Sequence, residues 1–135
     1  MNREAVKREI LNPKLVKEYV IAAHKSLAEV KPLVEAEPGL VNATVNWGEG
    51  DWESGIGAAA HTGNREIALW LLEKGAHLDI YAAAMLGELA IVKAILAVQP
   101  NAVQAPGPHG IPLIHHAKMG GEQAEVVYNY LKTLI

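Results

Sequence analysis

The stretch AAHTGNREIALWLL, Ala59 to Leu72, decides how this chain folds. Its paired alanines let one short helix approach a neighbour closely, and Gly63 takes the positive φ that turns the backbone into a second helix. On that second helix Ile67, Leu71 and Leu72 mark one buried stripe. The same phase returns three times: AAHKSLAEVKPLV from Ala22 to Val34, AAMLGELAIVKAIL from Ala83 to Leu96, and HAKMGGEQAEVVYNYL from His116 to Leu131, where two extra residues follow the glycine. Ser26, Gly87 and Gly120 hold the place of Gly63, and Ile91, Ile95 and Leu96 repeat its stripe. Unrelated helices of an ordinary bundle would account for the stripe but not for the recurring alanine and glycine phase. Four helix-turn-helix units are therefore expected.

Composition agrees with that expectation. Half of the 135 residues are hydrophobic, enough for one domain with its own core. Phe is absent and Ala abundant, which favours closely packed helices over a sheet sandwich, so the fold class is all-α. The absence of Cys removes disulfides, thiolate metal sites and a cysteine nucleophile. A net charge of −3 with both signs interleaved gives no basic footprint for nucleic acid. The charged N-terminus MNREAVKREILNPK has no apolar leader segment, and no uncharged stretch is long enough to span a bilayer. A soluble, cytoplasmic protein without membrane or nucleic-acid partners is expected.

The unit around Gly63 resembles the ankyrin repeat, whose pattern runs G-x-T-P-L-H-x-A-A-x-x-G, then an aliphatic helix, then L-L-x-x-G-A-x-x-N. Ala59-Ala60-His61-Thr62-Gly63-Asn64, Leu71-Leu72-Glu73-Lys74-Gly75-Ala76 and Leu78-Asp79 stand in register with it, and Ile111-Pro112-Leu113-Ile114 is a version of the T-P-L-H box. Gly87 and Gly120 stand 33 positions apart, the length of one ankyrin repeat. The resemblance implies a helical-repeat solenoid with a capping helix at 3–11, units at about 13–43, 44–79, 80–104 and 105–135, and a closing helix from Val126 to Leu134. Two departures stand out. Ser26 and Gly63 are 37 positions apart, which enlarges the finger that holds Asn46-Trp47-Gly48-Glu49-Gly50-Asp51-Trp52-Glu53. Gly63 and Gly87 are only 24 apart, which leaves no residues for the next finger. The loop around Trp47 and Trp52 also resembles that of small bacterial ankyrin-like proteins, a likeness that implies no activity.

Sites of chemistry are sparse in the sequence. Asn12-Pro13 and Asn64 read as helix caps. Gly48-Glu49-Gly50 lacks the lysine and spacing of a phosphate loop, and its carboxylate would repel phosphate. His115 and His116 diverge by about 100° on a helix and cannot easily grip one ion. His24 and His61 hold the same place in neighbouring units, with backbones about 8–10 Å apart, so a shared metal would need strongly converging side chains. Ser54 near His61, or the carboxylates of Glu49, Asp51 and Glu53, are the residues available for catalysis, yet turn serines and loop acids are usually structural or solvated.

The resemblance places the contact surface at hairpin tips and at the two residues after each Ala-Ala. Here these are His24, Lys25, Asp51, Trp52, Glu53, His61, Thr62, Met85, Leu86, Pro108, His109, Lys118 and Met119. Recognition of an unidentified protein, without catalysis, cofactor or metal, is the leading expectation, with Trp52, Met85, Leu86 and Met119 as apolar anchors. Self-association into a homodimer is a variant of it. The alternative is a small-molecule or metal-binding protein, with or without catalysis, that uses the Trp47/Trp52 loop with His61 and His109. Whether Trp47 and Trp52 are exposed for binding or fold over the gap left by the missing finger stays open at this level.

Overall fold

A computed structural model describes residues 8–135. The chain is mainly helical, with eight α-helices among the described residues and one two-stranded antiparallel sheet. The helices come in pairs: α1 (Pro13–Ala22) with α2 (Leu27–Ala36), α3 (Gly55–His61) with α4 (Arg65–Glu73), α5 (Ile80–Leu86) with α6 (Leu89–Val98), and α7 (Leu113–Met119) with α8 (Glu125–Lys132). Between α2 and α3 the chain runs out and back as β1 (Thr44–Asn46) and β2 (Trp52–Ser54), whereas Gly75 to Asp79 connects α4 to α5 without a strand. No described helix is long and apolar enough to cross a membrane.

Local chemistry explains where the helices begin. Asn12 caps α1 through its side-chain oxygen, which accepts the Lys14 N–H at 2.9 Å, and Pro13 follows in the first turn. Ser26, Ser54 and Asp79 cap α2, α3 and α5 in the same manner. Asn64 does not. Its side chain makes no cap bond and instead donates to the His24 carbonyl oxygen at 2.6 Å, which ties the second pair to the first. The expected N-terminal capping helix at 3–11 falls mostly on residues outside the described ones, and residues 8–11 are not helical. At the other end the two extra residues after Gly120 are absorbed in a 3₁₀ turn, Gly121–Ala124, that precedes α8.

Packing departs from a strictly linear array, in which each unit would meet only its neighbours. The first helices of the pairs rest on one another in order, α1 on α3, α3 on α5, α5 on α7, but α7 also reaches back to α3. As a result α3 and α5 are enclosed: every residue from Gly55 to Ala60 and from Ala82 to Leu86 is buried. Met85 and Leu86, expected on an open concave face, are core residues. The alanines at 58–60 and 82–84 are the cause, because small side chains on every face leave room for helices on several sides. The core falls into two clusters, one on Tyr19, Val30, Leu40, Ile67 and Leu71 and one on Val92, Leu113, Val127 and Leu131. Among the described residues two polar side chains are fully buried with it, Glu53 and His116.

Candidate metal centre

Strand alternation aims the first functional group. In β2, Trp52 pairs with Asn46 and Glu53 with Val45, so successive side chains leave opposite faces of the hairpin. Trp52 is 56% exposed and Glu53 has no exposed surface. The buried carboxylate lands where three imidazoles from different parts of the chain converge. His24 follows the end of α1, His61 ends α3, and His109 lies in a short 3₁₀ turn ahead of α7. The His24 and His61 Nε2 atoms lie 3.2 Å and 2.8 Å from Glu53 Oε2, and the His109 Nε2 lies 3.1 Å from Oε1. Trp47 Nε1–H donates to Oε1 at 3.0 Å, which settles that tryptophan as folded inward while Trp52 stays out.

The histidines are held from behind. His24 Nδ1–H donates to the Val20 carbonyl oxygen at 2.8 Å. Asp51 accepts from both the backbone N–H and the Nδ1–H of His109, each at 2.8 Å, although the two residues are 58 positions apart. That double grip holds His109 in the left-handed region, at φ 59° and ψ 19°, which costs a non-glycine residue about 1 kcal/mol or more. The side-chain contacts that position ligands, a backbone carbonyl behind one imidazole and a carboxylate behind another, are those that fix ring orientation around metal ions.

Proton accounting shows what the cluster lacks as a purely protein arrangement. A neutral imidazole has one N–H. In His24 a carbonyl oxygen takes it, and in His109 a carboxylate takes it, both at Nδ1. Each Nε2 then points a lone pair at a carboxylate oxygen about 3 Å away, which is repulsive. The contacts become attractive only with positive charge between them, supplied by a second proton on the ring or by a metal ion. Charge balances in the same way: two carboxylates, Asp51 and Glu53, are matched by two imidazolium ions or by one divalent cation. Burial pushes the Glu53 carboxyl up, but the bond from His61, the charges of His24 and His109 and the Trp47 bond outweigh it and leave its pKa below the ordinary value. Burial draws His109 down, and Glu53 and Asp51 together carry it above the ordinary value.

One ligand atom from each of His24, Glu53, His61 and His109 can be chosen so that all four lie within 4.8 Å of one another. A tetrahedral zinc site with bonds of about 2.0–2.1 Å needs its donors a little over 3 Å apart, a contraction that side-chain torsions supply. The His24–His61 convergence that the sequence made demanding is achieved, with ring centroids 4.9 Å apart. Of the residues placed on the contact surface by sequence, His24, Glu53, His61 and His109 therefore meet in one site, Asp51 holds His109 from behind, and Trp52 flanks it. Thr62 turns back to donate to the Ala58 carbonyl oxygen, and Lys118 and Met119 lie exposed at the end of α7. Trp47 as a hydrogen-bond donor had no sequence signal. The Ser54 hydroxyl accepts from Gly57 N–H and His61 faces Glu53, so these two do not form a nucleophile–base pair. His115 and His116 have rings crossed at 86° and do not share a point in space. Neither a protein-family model nor a curated protein matches this chain.

Proposed function

We propose that this chain is a metal-binding protein built on an ankyrin-like helical-repeat scaffold, with one divalent transition-metal ion held by His24 Nε2, His61 Nε2, His109 Nε2 and the Glu53 carboxylate. The observation that carries this is the pair of imidazoles whose Nδ1 protons are already taken and whose Nε2 lone pairs converge on a buried carboxylate. Three imidazole nitrogens and one carboxylate oxygen, with no thiolate, suit zinc and its neighbours cobalt and nickel better than calcium or magnesium. Equilibrium dialysis of the demetallated full chain against zinc tests it: one equivalent per chain is expected, falling to below about 0.1 in the Glu53→Gln, His61→Ala double variant, a loss of roughly tenfold or more. Binding of less than about 0.1 equivalent by the parent chain sinks the proposal.

Protein recognition remains a second reading with its own observation, because Trp52 and Met119 are exposed to 56% and 39%. It no longer draws on Met85 and Leu86. Recovery of one reproducible partner from native lysate by the parent chain, lost in Trp52→Ala, would support it, and equal recovery by both would remove Trp52 from that surface.

A further inference from the structure

Burial around the cluster is graded. Glu53 is fully enclosed, while the side chains of His61, His24 and His109 are exposed to 14%, 24% and 34%. The carboxylate is thus the floor of the site and the rings are its walls, with the rim in solvent. Four protein donors complete a tetrahedral shell, yet zinc can expand to five-coordinate, and the exposed edges of His24 and His109 leave the rim side accessible to a fifth donor. Next to the rim lies a cleft of about 730 Å³ that shares His109 and Asp51 with the cluster and is walled by Trp52, Tyr81, Pro106 and Pro108. That volume is in the range of small-molecule sites. Trp52, Tyr81, Pro106 and Pro108 put apolar ring surfaces beside the polar groups of Glu49, Asp51 and His109, and the Tyr81 ring is held in place by its hydroxyl, which donates to the Ala105 carbonyl oxygen at 3.3 Å.

The charges in the cleft restrict what it can take. Among the described residues no lysine or arginine lines it, and its own carboxylates are Glu49 and Asp51, the latter engaged by His109. An anion would be repelled by these walls unless the metal held it. The ion's own shell, three neutral imidazoles and the Glu53 carboxylate, carries one net positive charge that Asp51 balances only from behind His109, so at the ion itself an anionic oxygen donor is the head group that fits. Among the described residues the two non-glycine positions with positive φ, Glu49 and His109, both border this cleft, and strain of that kind concentrates at ligand sites.

We propose that the bound metal accepts a fifth donor from the side of this cleft, and that the cleft takes a small aromatic carboxylate, its carboxylate on the metal and its ring against Trp52, Tyr81, Pro106 and Pro108. This rests on the metal-binding reading above. Apolar stacking against Trp52 supplies the preference for an aromatic body, and the metal supplies all of the anchoring for the head group.

Cobalt-loaded full chain tests it, with 2-naphthoate and acetate as probes and the visible absorption of the bound ion as readout. Both probes are expected to change the cobalt spectrum, with 2-naphthoate binding at least about tenfold more tightly. Trp52→Ala should abolish that preference and leave the cobalt spectrum of the probe-free protein unchanged. Demetallated protein should bind neither, as read from tryptophan fluorescence. A cobalt spectrum that neither probe alters means a closed centre and overturns this inference while leaving the metal-binding reading intact. Equal affinity for the two probes, a preference that survives Trp52→Ala, or binding without metal also overturns it. Failure to form any protein-bound cobalt spectrum is the separate outcome that defeats the metal-binding reading itself.

Discussion

A carboxylate with no accessible surface keeps its charge only where neighbours supply the opposite one, and for Glu53 those neighbours are three imidazoles and an indole N–H. Asp51 is the residue behind the most exposed of them. Asp51→Asn keeps the acceptor for the His109 backbone N–H but weakens the hold on Nδ1, and it should lower zinc affinity by about 10- to 100-fold in competition titrations while helical circular dichroism stays unchanged. His116 offers a different test. Its Nδ1–H donates to the Pro112 carbonyl oxygen at 2.9 Å, its Nε2 is buried without a partner, and Tyr81, His61 and His115 are the titratable groups around it. Burial holds its pKa at about 4, against about 6.5 in the unfolded chain. A base depressed on folding binds fewer protons in the native state, so its contribution is intact above about pH 6.5 and is lost as pH falls from there to about 4. Urea titrations of metal-free protein should show on the order of 3 kcal/mol lost across that window, a slope that His116→Phe removes. Parallel pH dependence in parent and variant would refute this.

At the scale of elements, caps and turn glycines were readable because they act within a few residues. Asn12 and Ser54 bond to N–H groups two and three positions on, and Gly87 ends α5 with φ 82°. Asn64 escaped the same logic, since its partner is a carbonyl 40 residues earlier. Gly87 carries a second duty that the sequence does not display: a Cβ there would run into the Gln123 carbonyl oxygen of the turn before α8. Gly87→Ala therefore meets both a left-handed backbone and a backbone clash, and should cost about 2 kcal/mol or more, read as a fall in the denaturation midpoint. Ser54→Ala removes only one capping bond from α3 and should cost about 1 kcal/mol, which makes it the control for a purely local effect.

Across the whole molecule the proposed ion would join the end of α1, the hairpin, the end of α3 and the turn before α7, points far apart in sequence. An ion that binds the folded chain and not the unfolded one stabilises it by mass action, about 2.7 kcal/mol at a free concentration one hundred times Kd. For a chain of this length that is roughly a 10 °C rise in melting temperature. Zinc should produce that rise in the parent chain, a chelator should reverse it, and His109→Ala should show little of it. An unchanged melting temperature at saturating zinc would mean that the four positions do not share one ion.

Sequence alone determined the helical pairs, their turns, the capped start of α1, the enlarged finger that holds Asn46 to Glu53 and the lack of thiolate chemistry, since periodicity and capping are properties of neighbouring residues. Tertiary structure decided the rest. Whether Met85 faces solvent depends on α7 reaching back to α3, and whether Glu53 is a solvated loop charge or the floor of a site depends on the hairpin's register and on what covers it. The meeting of His24, His61 and His109 rests on helix packing and on one strained residue gripped by Asp51, and no pattern along the chain encodes an approach that only the folded layers make.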